Sequence, residues 1–280
     1  MPFDFSPYGA ILLDLAGTIY HEDHPLPGAI ELIHRFRREG RRFACCTNST
    51  QSPQRVVQRL KSMGVGLELD DVYTAAAAAA DYAMQRFGAA RRPRLYNLAT
   101  QGLHALLNDR VDWVEWETST DRAEGTLPAQ VEPPPCDAVI VGTPVGEFVS
   151  EPRMRQALTL LRRGAACIGI CADRVYPSPR GIEFGSGALT GMLAYAGAVE
   201  AVFCGKPDPK FFREMCRRLA ATPERCLLIG DNLESDISGA KGVGMATILT
   251  LTGVARQADV DRLAAERRPD WVVATLRDLM

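Results

Sequence analysis

The sequence predicts an α/β protein: a doubly wound parallel sheet carrying a second, inserted α/β domain. Three observations predict it. Short apolar runs of strand character alternate with segments of helical period, the pattern of a parallel sheet wrapped by crossover helices. Two of the runs, 11–13 and 225–230, are followed directly by an aspartate, which puts carboxylates at the C-terminal edge where such sheets bind ligands. Between residues 80 and 186 a further set of strands and helices interrupts the first pattern, so the predicted core is 1–79 with 187–280 and the predicted insert is 80–186.

Taken in order, residues 10–15 form a strand, apolar enough to be covered on both faces. Pro27-Gly28-Ala29 opens a helix that puts Ile30, Ile33 and Phe36 on one face and stops at Gly40. Residues 42–47 form a second strand. Thr47-Asn48-Ser49-Thr50 then leads into a helix that starts at Ser52-Pro53 and ends at Gly64. A hydroxyl-rich turn between a strand and a helix N-terminus suits an anion, because free N–H groups point at it. Residues 71–87, with an alanine run at 75–80, read as one helix.

In the insert, strands are predicted at 94–98, 111–116, 137–142 and 165–170, a Pro-rich loop at 119–135 and a helix at 151–163. Gly181, Gly185 and Gly187 read as hinge candidates at the return to the core. The core then resumes with a helix from 187, a strand at 202–204, a helix at 208–220, a strand at 225–230, a helix at 234–241 and a strand at 245–251.

The 280 residues are 46% apolar and 24% charged with a formal net charge of −2, which gives no electrostatic case for nucleic acid or a membrane surface. The arginines at 35, 37, 38, 41 and 42 surround a helix end and read as solvated, dipole-complementing charges. No apolar run is long enough to span a bilayer, and no N-terminal leader is visible. The eight cysteines contain no C-x-x-C pair and lie in apolar segments, so reduced, buried thiols and a cytoplasmic location are expected.

Right-handed crossovers bring four strand ends to one edge: Asp14, Thr47-Asn48-Ser49, Lys206, and Asp231 with Asp236 beyond it. Each alone has a plain structural reading. Asp14 and Asp231 could cap helices, Thr47 and Ser49 could close a turn, and Lys206 could be a surface charge. Their joint order is harder to obtain by chance. Asp14-Leu15-Ala16-Gly17-Thr18, Thr47, Gly205-Lys206-Pro207 and Gly230-Asp231-x4-Asp236 together resemble the four motifs of the haloacid dehalogenase superfamily. Cys46-Thr47-Asn48-Ser49, Gly205-Lys206-Pro207-Asp208-Pro209 and Gly239-Ala240-Lys241-Gly242-Val243-Gly244-Met245 look like its class IIA branch of small-molecule phosphatases.

The resemblance implies a Rossmann-like core, an α/β cap and roles for named residues. Asp14 would be the nucleophile that forms an aspartyl-phosphate. Mg²⁺ would sit on Asp14, Asp231 and the backbone carbonyl of Ala16, with Asp236 orienting the metal shell or Lys206, and Asn232 beside it behind the ligands. Thr47, Asn48, Ser49 and Lys206 would hold phosphoryl oxygens. The cap loop Cys171-Ala172-Asp173-Arg174 would help select substrate, with Arg174 suited to a second anionic group. The partner would be a small phosphorylated metabolite, and relatives in this branch often pair through their caps.

Ala16 departs from the pattern, because phosphatases of the family usually carry an aspartate there to protonate the leaving oxygen. The loss falls on proton transfer, worth typically ~10²–10⁴-fold. Phosphonoacetaldehyde hydrolases also carry alanine at this position, but they insert a helical cap after the first motif. Residues 19–46 are too few to hold one. Three readings stay open. The chain is a slow phosphatase or one that favours good leaving groups, a phosphoryl-ligand binding or regulatory protein, or an engineered ligand-trapping variant. His21, Glu22, Asp23 and His24 could supply a substitute acid.

Overall fold

The computed structural model describes residues 2–115, 132–144, 148–178 and 180–280. The chain divides into two compact units, 1–75 with 205–280, and 76–204.

The first unit begins with β1 (Ala10–Leu13), whose four residues are all buried. A small hairpin follows, β2 (Tyr20–His21) against β3 (His24–Pro25). Helix α1 (Ala29–Arg38) buries Ala29, Leu32, Ile33 and Phe36. The sequence reading placed Ile30 on that face. The i, i+3, i+4, i+7 series starting at Ala29 instead selects Leu32 and leaves Ile30 half-buried. β4 (Phe43–Thr47) is fully buried, and α2 (Pro53–Ser62) starts with Ser52 accepting the Arg55 N–H at 3.4 Å. The expected helix over 71–87 divides: β5 (Val72–Thr74) adds to the sheet edge beside β4, and α3 (Ala75–Phe87), which from Ala76 onward belongs to the second unit, starts with the alanine run.

The second unit contains β6 (Arg94–Leu98), α4 (Gln101–Leu107), β7 (Asp112–Trp113), β8 (Ala138–Val141), α5 (Glu151–Arg162) and β9 (Ala166–Gly169). The antiparallel pair β10 (Val175–Ser178) and β11 (Gly181–Phe184), then α6 (Ser186–Gly197) and β12 (Ala201–Phe203), complete it. Its parallel sheet runs β12-β9-β8-β6-β7. Leu160 and Leu161 of α5 and Leu189 and Leu193 of α6 pack with Tyr96, Val139 and Val141. Residues 187–204, expected in the core, belong here because β12 hydrogen-bonds β9. The glycines at 181, 185 and 187 therefore lie inside the second unit and not at its junction. Most of the expected loop over 119–135 lies outside the described residues.

The first unit resumes with α7 (Pro209–Arg218), β13 (Cys226–Gly230), a π-helical turn Leu233–Ser238, α8 (Gly239–Lys241), β14 (Ala246–Thr250), α9 (Gln257–Asp261) and β15 (Trp271–Val273). All its main-sheet strands are parallel, in the order β15-β14-β13-β1-β4-β5. Ile11 and Leu13 of β1 join Leu32, Ile33 and Phe36 of α1 in the main core. The strand order reverses between β1 and β13, which makes the crevice beyond their C-terminal ends the expected ligand position. No helix among the described residues is long and apolar enough to cross a membrane. Seven cysteines are buried, Cys136 is half-buried, and all eight are free thiols.

Candidate active site

β1 and β13 pair in register, Leu13 opposite Ile229, and each runs directly into a carboxylate. Asp14 extends the ladder through its N–H to the Ile229 carbonyl at 2.8 Å. Asp231 follows Gly230 at the end of β13. Parallel pairing thus sets both side chains on one edge at the switch point.

Lys206 enters where the chain returns to the first unit. Its N–H donates to Asn48 Oδ1 at 2.8 Å, and Asn48 Nδ2 donates to its carbonyl at 3.0 Å. The buried ammonium, 2% exposed, donates to Asp14 Oδ1 at 2.5 Å, Asp236 Oδ1 at 2.6 Å and the Cys46 carbonyl at 3.2 Å. A lysine has three donors, and each has an acceptor here. Asp236 comes from the π-helical turn, in which both the Asp236 and Ile237 N–H groups reach the Asn232 carbonyl at 3.1 Å. The Asn232 N–H holds Asp236 Oδ2 at 3.1 Å, and Asn232 Oδ1 caps the turn through Glu234 and Ser235.

Three buried carboxylates face one ammonium, so the ionised cluster carries an excess of negative charge. Burial raises the Asp14 carboxyl well above its usual range; Lys206 opposes this, and Asp236 and Asp231 add to it. Burial, then Asp236, lifts Asp231 to about 6, against the Val254 N–H and Lys206. Burial disfavours the Lys206 charge, but Asp14 and Asp236 outweigh it and hold its pKa well above the ordinary lysine value.

This donor set fits a hard divalent cation. Asp14, Asp231 and Asp236 each offer an oxygen, and these oxygens all lie within 4.8 Å of one another. A dication would offset both the burial and the mutual repulsion that lift Asp14 and Asp231. Asp236 already gives Oδ1 to Lys206 and Oδ2 to Asn232, so Asp14 and Asp231 are the freer ligands. Ala16 is exposed and offers a methyl group where a carboxylate was expected.

Thr47 is buried, directly after the carbonyl that holds Lys206, and its Oγ1 accepts the Ser49 N–H at 3.2 Å. Ser49 Oγ accepts the Gln51 N–H at 3.1 Å. Asn48, expected among the phosphate ligands, also bonds the Lys206 backbone through both atoms of its side-chain amide. Asp173 and Arg174 lie in the second unit. Their carbonyls accept the Gly187 and Gly185 N–H groups, each at 2.9 Å, and the Cys171 thiol donates to Asp173 Oδ2 at 3.2 Å. The sequence reading missed Thr252, Gly253 and Val254, which pack against the site; the sequence signal was a Thr-Gly pair just after a buried strand.

Comparison with known proteins shows the family. The family profile described as haloacid dehalogenase-like hydrolase matches residues 11–110, and a second, described as HAD-hydrolase-like, matches 203–279. The haloacid dehalogenase-like hydrolase domain-containing protein 2 of Bos taurus is 32% identical over 257 residues, covering 91% of this chain and 88% of the relative. The crystal structure of a 4-nitrophenylphosphatase from Thermotoga maritima superposes with a TM-score of 0.82 at 27% identity, covering 98% of this chain and 97% of that one. A glycerol phosphate phosphatase from Mycobacterium tuberculosis in complex with magnesium gives 0.81 at 25% identity, covering 98% and 77%. With the motif residues converging on one sheet edge and similarity spanning nine-tenths of its length, the chain belongs to the haloacid dehalogenase-like hydrolase family.

Proposed function

We propose that this chain is a Mg²⁺-dependent phosphoric monoester hydrolase of the class IIA branch, acting on a small phosphorylated metabolite through an aspartyl-phosphate. The observation that carries the reading is the Lys206 ammonium, held between Asp14 and Asp236 beside Asp231 at the switch point of the sheet. The phosphatases among the relatives support the reaction class, and the magnesium complex of one of them supports the ion.

Lys206 pins Asp14 Oδ1, which leaves Oδ2 to attack phosphorus in line with the leaving oxygen. The Asp14–phosphorus bond forms as the ester P–O bond breaks. Thr47, Ser49 and the amides entering α2 meet the phosphoryl oxygens, and Lys206 offsets their charge. Asp14, Asp231 and the Ala16 carbonyl would hold Mg²⁺, which when bound supplies further neutralisation of phosphoryl charge. Water then attacks phosphorus and releases phosphate and the free Asp14 carboxylate. Residue 16 donates no proton, so the leaving oxygen departs with its charge developed. Good leaving groups are therefore favoured.

Asp173 and Arg174 contribute to substrate choice in this reading. The second unit exposes Ile182 (80%), Phe184 (69%) and Tyr195 (91%), apolar area that suits a homodimer contact. Eight free thiols accord with a cytoplasmic location. Ala16 favours a second reading, a phosphoryl-ligand binding or regulatory protein that has lost turnover.

A panel of aryl, acyl and alkyl phosphates with Mg²⁺ separates the two. Hydrolysis that is abolished in Asp14→Asn supports the enzyme. Binding of phosphate esters with no turnover of any of them, even aryl esters, supports the regulatory reading.

A further inference from the structure

The segment Thr252-Gly253-Val254 follows β14 and touches both strands that carry the candidate cation ligands. The Val254 N–H donates to Asp231 Oδ2 at 2.7 Å, and the Ala255 N–H donates to the Asp231 carbonyl at 3.1 Å. The Thr252 hydroxyl donates to the Gly17 carbonyl at 2.6 Å and lies 2.9 Å from the Thr250 hydroxyl, which is itself fully buried. One short loop therefore grips the Asp231 side chain, the Asp231 main chain, and the carbonyl next to that of Ala16.

The packing leaves no room for a side chain between them. A Cβ at Gly253 would lie 1.9 Å from Asp231 Oδ2 and 2.5 Å from its Cγ. A Cβ at Gly17 would lie 2.4 Å from the same Oδ2. Asp231 is thus sandwiched between two bare backbones, with Oδ2 committed to the Val254 N–H and its orientation fixed. A carboxylate ligand already oriented this way loses little freedom when it takes a cation, and such outer contacts tune metal affinity.

We infer that Thr252, Gly253 and Val254 form the positioning element of the cation site, with Thr252 and Gly253 as positioning residues for Asp231 and the Ala16–Gly17 backbone. The inference rests on the Mg²⁺ reading above. It adds a third strand end to that site, contributed by residues that ligate nothing themselves. Gly253 is required for clearance, and Thr252 is required for its hydroxyl rather than its shape.

The test is Mg²⁺ binding by isothermal titration calorimetry on the full chain, without substrate, for the parent, Gly253→Ala, Thr252→Val and Thr252→Ser. Thermal melts in chelator accompany each variant. Gly253→Ala is expected to raise the Mg²⁺ Kd by ~10–100-fold, the usual range for losing an outer-shell contact. Thr252→Val, nearly isosteric, raises it several-fold, and Thr252→Ser restores it to within twofold, with chelator melts of the Thr252 variants close to the parent. If both Gly253→Ala and Thr252→Val bind Mg²⁺ as the parent does, the inference is overturned while the phosphatase reading stands. If the parent binds no Mg²⁺, both fall. If the parent binds Mg²⁺ and the variants weaken it, but no phosphate ester is hydrolysed, the positioning role holds and the enzyme reading fails.

Discussion

The side-chain amide of Asn48 hydrogen-bonds both the N–H and the carbonyl of Lys206, across 158 positions of sequence. This paired contact ties the loop after β4 to the segment that delivers the ammonium. The strand that ends in Thr47 and the lysine are thereby set as one piece, and a single substitution can separate them. Asn48→Ala is expected to cost about 2 kcal/mol of stability, roughly 1 kcal/mol per lost hydrogen bond. It should also lower kcat by roughly tenfold to a hundredfold, because the ammonium is no longer held in place. Urea unfolding and steady-state kinetics on the same variant check both halves. Full activity would mean that Lys206 is positioned by its ion pairs alone.

Lys206 balances Asp14 and Asp236, and all three side chains are buried. Removing one partner of a buried ion pair leaves uncompensated charge, at a cost of about 3–5 kcal/mol. Lys206→Met is therefore expected to be strongly destabilised in chelator. Mg²⁺ should recover part of the loss by linkage, since it binds the folded carboxylate cluster. Urea melts with and without Mg²⁺ measure the difference. A variant indifferent to Mg²⁺ would argue that the carboxylates do not share a cation.

In the second unit, Asp137 accepts both terminal nitrogens of Arg91, at 2.7 and 2.8 Å, and the Arg94 N–H at 2.7 Å. The Arg91 hydrogen bonds hold its carboxyl below the usual aspartate range. A depressed folded pKa gives stability that is complete above the unfolded value, about 3.9, and is lost as pH falls through the folded one. Arg91 is half-exposed, so solvent screening keeps the effect to about 1 kcal/mol. Asp137→Asn should be less stable than the parent by that amount at pH 7, with the gap narrowing as pH falls below 4. Denaturant titrations across that pH range check it. A gap that widens in acid would contradict the assignment.

Ala16 is exposed on the turn after Asp14 and supplies no acid. Ala16→Asp is expected to speed alkyl phosphate hydrolysis by ~10²–10⁴-fold and aryl phosphate hydrolysis far less. In the parent, log kcat plotted against leaving-group pKa should be steep, and in the variant shallow. A shallow plot for the parent would mean that another group donates the proton, with His21, Glu22, Asp23 and His24 the candidates on the adjoining hairpin.

The part of the site legible in the sequence is the part that strand topology dictates. Once β1 and β13 are parallel neighbours, Asp14 and Asp231 must share an edge, and Thr47 ends β4 on it. Asp236 is legible through its spacing from Asp231, but the π-helical turn that delivers it to Lys206 is not, because 234–241 reads as an ordinary helix. The Asn48 contact with the Lys206 backbone escapes the sequence because its partner is remote along the chain. β5 escaped notice because Val72–Thr74 runs straight into the helix-favouring alanines. Residues 187–204 share the helix-and-strand texture of the core, yet strand pairing, which sequence pattern does not specify, places β12 beside β9.

In the proposed reaction Asp14 accepts the phosphoryl group. The direct measurement is peptide mass spectrometry after brief exposure of the Mg²⁺-loaded chain to an acyl phosphate and an acid quench. With no acid at residue 16 to activate water, the adduct should accumulate. A phosphoryl increment on the peptide containing Asp14, absent in Asp14→Asn, is the expected result. Turnover of the acyl phosphate with no adduct on that peptide, or with an adduct that persists in Asp14→Asn, would contradict it.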